Sequence, residues 1–274
     1  MTDPTELLPI AVEAMDKARR IIDKQKPREV TAKGARDMVS DIDLEVEHTI
    51  RSYLLQHAPQ VSFLGEEEGI REEGGDLLWA LDPIDGTANF VHEIPLFAIS
   101  LGLIRGTRSV LGIIDVPASN SRYTAIDGKG AFCGSKRLKV SSAARLSNAI
   151  VAFGDYAVGE DADTRNELRL AVARVLAGRA LRVRMLGSAA IDLAWLAHGR
   201  VDAAITFSNK PWDTAAGVVI AREAGASVTD WDGSPHTRMS KATIASPGSL
   251  ITEVIDLLKK VTPAMPTGWC EVEK

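Results

Sequence analysis

WALDPIDGTANF, residues 79–90, closes an apolar run (Leu77, Leu78, Trp79, Ala80, Leu81) on Asp82 and places Asp85 three residues later. The run reads as a buried strand, so both acids leave its carboxyl end. Pro83 fixes the backbone, Gly86 frees it, and Thr87 supplies a hydroxyl. Two unit charges about 4 Å apart repel by roughly 4 kcal/mol at an effective dielectric near 20. Carboxylates this close at a half-buried strand end need either solvent or a cation. A bare DxxDG cannot choose between them, because turns use the same residues. The rest of the chain has to decide.

GEEEG (65–69) directly follows a second expected strand, VSFLG (61–65). Ligands in open α/β sheets gather at strand carboxyl ends, so Glu66, Asp82 and Asp85 converge if the two strands are neighbours. Glu68, Glu72 and Glu73 read as a solvated acidic loop. PWDTAAGVVIAREAG (211–225) puts Asp213 in the first turn of an apolar helix, where in isolation it reads as a capping acid. MLGSAAIDLAWLAHG (185–199) ends a strand with Gly187 and Ser188 before another helix. Both helix starts are expected to face one pocket. In SDIDLEVE (40–47), Ser40 caps a helix while Asp41 and Asp43 complement its dipole. A calcium loop fails there, since Val46 and Ser52 stand where Gly and Glu are required. An oxygen-only donor set of Asp, Glu and a backbone carbonyl describes magnesium rather than zinc. In that setting the Pro83 turn aims the Ile84 carbonyl inward, and Gly86 lets a phosphate approach backbone N–H groups at the helix start of Thr87.

Composition excludes other classes. A chain of 274 residues suits one large domain or two packed halves, here an N-terminal half about 1–145 and a C-terminal half about 146–274. A net charge of −5 leaves no electrostatic footprint for a nucleic-acid polymer or a membrane surface. Cys133 and Cys270 form no CxxC pair, which fits a reducing cytoplasm. The longest nearly apolar stretch, LFAISLGLI (96–104), is about half a membrane span. No GxSxG elbow, GxxxxGK[ST] loop or HExxH is present. Helices are expected over 4–24, from Ser40 onward, and over 164–176, 189–198, 212–224 and 249–260. Further strands are expected at 96–104, 109–116, 149–153, 181–186 and 201–207, with short β segments around RYTAID, GAFC, ASVTD and ATIAS. Layered sheets and helices, an α/β (α+β) class, follow from that mixture.

Taken together, GEE (65–67), LDPIDGTANFVHEIP (81–95), GSAA (187–190) and WDTAAGVVIAREAGA (212–226) resemble the inositol monophosphatase family of magnesium-dependent, lithium-sensitive phosphomonoesterases. The resemblance implies a layered αβαβα sandwich of the inositol monophosphatase/fructose-1,6-bisphosphatase type over 1–274, and a homodimer. It implies Glu66, Asp82, the Ile84 carbonyl, Asp85 and Asp213 as ligands of two to three Mg2+ ions. Asp85, Gly86, Thr87 and Asp213 would hold the phosphate, with Gly187, Ser188 and Ala189 on the substrate side. Asp43 would hydrogen-bond Thr87, and Thr87 with Glu66 would orient the attacking water; Glu67 matches an acid behind the ligands. The implied reaction is Mg2+-dependent hydrolysis of a small phosphomonoester such as inositol 1-phosphate or a related sugar or polyol phosphate. Members that prefer inositol phosphate carry a glutamate seven residues before the WD aspartate; here the position is Thr206. Relatives hydrolyse histidinol phosphate, fructose 1,6-bisphosphate, adenosine 3′,5′-bisphosphate and other nucleotides. Arg182 and Arg184 could bind a second anionic group, but they read better as solvated, because alternation along a half-buried strand gives the same pattern. From another class, a non-catalytic binding or regulatory protein with the same fold stays as the rival reading.

Overall fold

The computed structural model describes residues 3–34, 37–159 and 161–261; Cys270 of the cysteine reading lies outside them. The N-terminal part holds helices α1 (Pro4–Lys24), α2 (Asp41–His57) and α3 (Thr87–Val91). Its strands are β1 (Val30–Gly34), β2 (Asp37–Ser40), β3 (Ser62–Gly65), β4 (Gly69–Arg71), β5 (Leu77–Asp85), β6 (Ala98–Arg105), β7 (Arg108–Val116), β8 (Ser121–Ile126), β9 (Gly130–Cys133) and β10 (Lys136–Arg137). The remainder comprises β11 (Ile150–Phe153), α4 (Ala162–Arg179), β12 (Arg182–Arg184), α5 (Ala189–Ala197), β13 (Ala203–Thr206), α6 (Pro211–Glu223), β14 (Ala226–Thr229), β15 (Thr243–Pro247) and α7 (Gly248–Val261).

Strands β10-β9-β8-β7-β6-β5-β3-β4 form one sheet and β12-β11-β13-β15-β14 a second. In β5 every residue is buried, and alternation sends Trp79 and Leu81 to one face, Leu78 and Ala80 to the other. The first face meets α1 and α2, which present Leu7, Ala11, Met15, Ile42, Val46 and Ile50 at helical spacing. The opposite face packs on α5 and α6, whose Ala190, Ala194, Ala216 and Val219 lie against Ile114, Tyr123 and Ala125. The other sides of those two helices press on the second sheet through Leu193, Leu196, Val218 and Ala221. Leu168, Val172 and Leu176 of α4, with Val254 and Leu258 of α7, cover its far face. The order is helix, sheet, helix, sheet, helix, the αβαβα sandwich expected from the sequence.

One contact sets the position of α6. Gly102 of β6 and Gly112 of β7 are cross-strand partners. A Cβ at Gly102 would stand 2.7 Å from Ala215 Cβ, and one at Gly112 2.5 Å from the Ala216 carbonyl oxygen. The helix therefore rests on bare backbone.

The loop after β14 is tied to the start of α6 through Asn209, 8% exposed. Asn209 Nδ2 donates to the Ser240 carbonyl (2.7 Å), while Oδ1 accepts from Thr214 Oγ1 (3.0 Å), Thr243 Oγ1 (2.9 Å) and His236 Nε2 (2.9 Å). Burial, with Arg222 nearby, pushes the His236 pKa down to about 3 from 6.5. A histidine held neutral leaves the folded state with fewer protons than the unfolded one between those values. Stability is therefore full above pH 6.5 and is lost as pH falls towards 3. At about 1.4 kcal/mol per unit the loss is on the order of 5 kcal/mol at most. His236→Gln is expected to flatten the decline in urea-unfolding midpoint between pH 7 and pH 4; a variant as acid-sensitive as the native protein would remove His236 from the account.

Candidate active site

The parallel neighbour relation anticipated for the two acid-bearing strands is present. β3 pairs with β5 in parallel, Gly65 opposite Leu81, and the Glu66 N–H donates to the Leu81 carbonyl at 3.1 Å. The sequence reading ended the strand that starts at Leu77 at Leu81; in the structure β5 runs on to Asp85. Its register against β6 slips there, from Asp82 opposite Ser100 to Asp85 opposite Ala98. Three steps on β5 thus match two on β6, a bulge. Side chains three apart on an unbroken strand point to opposite faces; the bulge lets Asp82 and Asp85 reach one site. Pro83, lacking an N–H, fits where the ladder is broken.

Asp82 is 3% and Asp85 8% exposed. Asp82 Oδ1 accepts from the Ile84 N–H at 2.9 Å. Asp85 Oδ2 accepts from Ser188 Oγ (2.5 Å) and the Ala190 N–H (2.7 Å), which binds β5 to the N-terminus of α5. Gly86 adopts φ 93°, and a Cβ there would lie 2.9 Å from the Gly187 carbonyl oxygen, so only glycine fits. Asn89 Nδ2 donates to the Leu96 and Leu186 carbonyls at 2.6 and 2.8 Å, holding α3 against the segment before α5. Thr87 Oγ1 stands 3.2 Å from Asp43 Oδ1 and 3.0 Å from the Ile84 carbonyl oxygen. Asp43 Oδ2 in turn accepts from Ser40 N–H (3.0 Å) and Ser40 Oγ (2.5 Å) in a capping box. Asp43 thus both caps α2 and meets Thr87.

Asp213 lies in the first turn of α6, where the cap position is Lys210 and makes no side-chain bond; capping does not account for the acid. Burial and then Glu66, Asp85, Asp213 and Asp43 raise the Asp82 pKa well above the carboxylate range. Burial, followed by Glu66 and Asp85, does the same to Asp213, against Lys210 and Lys33. Asp85 rises to about 6 through burial, although Ser188 and the Ala190 N–H hold it back. Four acids from three distant segments therefore feel one another.

Lys33 of β1 reaches into this cluster. Its Nζ lies 3.2 Å from Glu66 Oε1 and 2.5 Å from Glu67 Oε1. Burial alone would lower its pKa, and Glu66 with Glu67 outweighs that and raises it. Glu67 is pushed up to about 7 by burial despite the Lys33 contact. In this arrangement no three His, Cys, Asp or Glu side chains among the described residues stand around one point closely enough to hold a metal ion. The donor set still fits a hard cation. It is all oxygen, buried and mutually repelling, and Lys33 supplies an ammonium where a cation is demanded.

A cavity of about 330 Å3 opens beside the acids, lined among others by Asp85, Gly187, Ser188, Ala189, Thr206 and Asp213. Both helix starts thus face one pocket, as expected. Arg182 and Arg184 lie outside it, exposed on edge strand β12 with their guanidinium groups on neighbouring carbonyls, so the solvated reading holds. Glu68 pairs with Arg51 at the surface.

Sequence reasoning missed several residues. Glu47, fully buried, accepts the N–H groups of Glu67 (2.9 Å) and Glu68 (2.8 Å) and so shapes the loop carrying Glu66. A Cβ at Gly65 would overlap its carboxylate. Arg165 and Arg169 of α4 line the pocket; their i, i+4 spacing was the available signal. Asn209 and Asp192 gave none.

Comparison with known proteins identifies the family. The model of the inositol monophosphatase family matches residues 3–262. A Thermotoga maritima protein named fructose-1,6-bisphosphatase/inositol-1-monophosphatase is 37% identical over 83% of this chain and 85% of its own length. The Nus factor SuhB of Pseudomonas aeruginosa is 34% identical over 95% of this chain and 97% of its own. The crystal structure of extragenic suppressor protein suhB from Bartonella henselae superposes with a TM-score of 0.86 at 34% identity, covering 93% of this chain and 99% of that one. With the sandwich, the bulged DPIDGT strand and a family match running almost end to end, the chain belongs to the inositol monophosphatase family and is a phosphoric monoester hydrolase.

Proposed function

We propose that this protein hydrolyses a small phosphomonoester, a sugar, inositol or other polyol phosphate, using Mg2+ held by Glu66, Asp82, the Ile84 carbonyl, Asp85 and Asp213. The observation that carries the reading is the mutual strain of Glu66, Asp82, Asp85 and Asp213 beside the cavity, opposed only in part by Lys33 and Lys210. When bound, Mg2+ neutralises phosphoryl charge and makes water a nucleophile at neutral pH. The chain supplies position. Gly86 and the N–H groups at the start of α3 hold the phosphate oxygens. Thr87, oriented by Asp43, and Glu66 hold the water in line with the scissile P–O bond. The new P–O bond forms as the ester P–O bond breaks, and the proton that the attacking water gives up goes to the departing alkoxide. Phosphoryl transfer rests largely on positioning and charge stabilisation, and fixed oxygens on short, buried segments supply both.

Thr206, 8% exposed at the end of β13, offers a hydroxyl where inositol-preferring members offer a carboxylate. Histidinol phosphate, fructose 1,6-bisphosphate, adenosine 3′,5′-bisphosphate and other nucleotides are the alternative substrates. The name Nus factor SuhB borne by one relative supports a second, non-catalytic reading through protein binding. Homodimer formation and a cytoplasmic location rest on the family resemblance and on the cysteine usage; among the described residues no helix is long and apolar enough to cross a membrane. The deciding measurement is phosphate release from this substrate panel with Mg2+ and with EDTA. Release that requires Mg2+ is expected. Release unaffected by EDTA, or none from any ester, would refute the proposal.

A further inference from the structure

Asp192 stands in the first turn of α5 and is 1% exposed. Its Oδ1 is buried without a hydrogen-bond partner. A buried polar atom left unbonded is costly, and in a native fold it demands a reason. Packing offers none, since the residues around it on α5 are apolar, Ile191 and Leu193 among them. Burial, then the fields of Asp85 and Asp155, raise its pKa well above the carboxylate range, so an acid is an unfavourable choice for stability at this position.

Placement offers a reason. Asp192 lines the same cavity of about 330 Å3 as Asp85, Ser188 and Asp213, a volume at the low end of small-ligand sites. The cavity also takes in Gly154 and Thr206, at the carboxyl ends of the parallel pair β11 and β13, where ligands of α/β sheets collect. Asp192 is not among the ligands proposed for Mg2+, and a carboxylate with no cation to bridge it repels phosphate, so Asp192 does not serve the phosphoryl end of a substrate. It suits a hydrogen-bond donor on the organic end.

Building on the phosphatase reading above, we propose that Asp192 is a specificity-determining residue whose unpartnered oxygen accepts a hydrogen bond from a hydroxyl or ammonium group of the phosphomonoester. The preferred substrates are then phosphate esters of polyols or amino alcohols, and esters without a second donor are disfavoured. A site with a buried group awaiting its partner rejects the analogue that lacks it.

The test compares kcat/KM with Mg2+ on inositol 1-phosphate (hydroxyls), O-phosphoethanolamine (ammonium) and phenyl phosphate (no second donor). The native protein is expected to prefer a donor-bearing ester, and which of the two it prefers identifies the donor. Asp192→Ala is expected to reduce that preference over phenyl phosphate by about 10–100-fold, without lowering Tm, because an unsatisfied acid has been removed. Asp192→Asn, which keeps an oxygen in place, is expected to lose less on the hydroxyl ester and carries the test should the alanine protein fail to fold. A preference ratio within twofold of native, or a native protein that favours phenyl phosphate, overturns the proposal. So does a parallel fall on all three esters with a lower Tm, which marks a structural role. A native protein inactive on all three overturns the proposal; inactivity on every ester of the wider panel above removes the phosphatase reading as well.

Discussion

An Asp82→Asn protein is expected to lose at least about 10³-fold in Mg2+-dependent phosphate release while unfolding at a higher temperature than the native protein when both are free of metal. The two effects share one cause. Asp82 is buried within reach of the charges of Glu66, Asp85, Asp213 and Asp43. A carboxyl whose folded pKa lies above its unfolded value destabilises the fold increasingly as pH rises above the unfolded value of 3.8. Asparagine removes that charge and still offers Oδ1 to the Ile84 N–H. With saturating Mg2+ the order should reverse, because a ligand that binds only the folded state adds RT ln(1 + [L]/Kd) to the native protein alone. Differential scanning fluorimetry with EDTA and with Mg2+ reads both halves. Retained turnover, or a lower metal-free Tm, would remove Asp82 from the centre of the site.

Gly112→Val is expected to destabilise the fold by about 3 kcal/mol or more, seen as an early urea midpoint. No side-chain rotation relieves the contact, because the obstacle at Gly112 is the Ala216 backbone as well as Val219. The sheet must bend or α6 must lift. Asp213 sits on the first turn of that helix, so Gly112→Ala, the milder change, should weaken Mg2+ binding in calorimetry even where the protein stays folded. Unaltered Mg2+ affinity in a destabilised Gly112→Ala protein would separate the glycine seat from the site.

Much of this was readable before any coordinates. The run Leu77–Leu81 is apolar on both faces, which only a doubly covered strand tolerates, and Gly65 before Glu66 marks a strand end with no side chain of its own. The bulge was not readable, because it depends on the partner strand: nothing in DPID announces that Asp85 will pair with Ala98. The β1–β2 hairpin escaped notice for a related reason. All five residues of β1 are exposed, so no alternation betrays it, and with it went the contact of Lys33 with Glu66 and Glu67. Glu47 carries no signal of its own in SDIDLEVE. Its role appears only when the loop after β3 folds over it. Asp192 had no signal because a single acid in AAIDLAWLA resembles any interrupted apolar stretch.

The division of labour between the two sheets has a consequence for how such a molecule changes over time. Asp82 and Asp85 belong to the eight-stranded sheet and Glu66 to the loop leaving its β3, whereas Gly154, Thr206 and Phe207, which wall the cavity, lie at the ends of the five-stranded one. Mutations in that wall can accumulate without disturbing the acids, so descendants of one ancestor can drift from one phosphate ester to another while the bond-breaking apparatus is inherited intact.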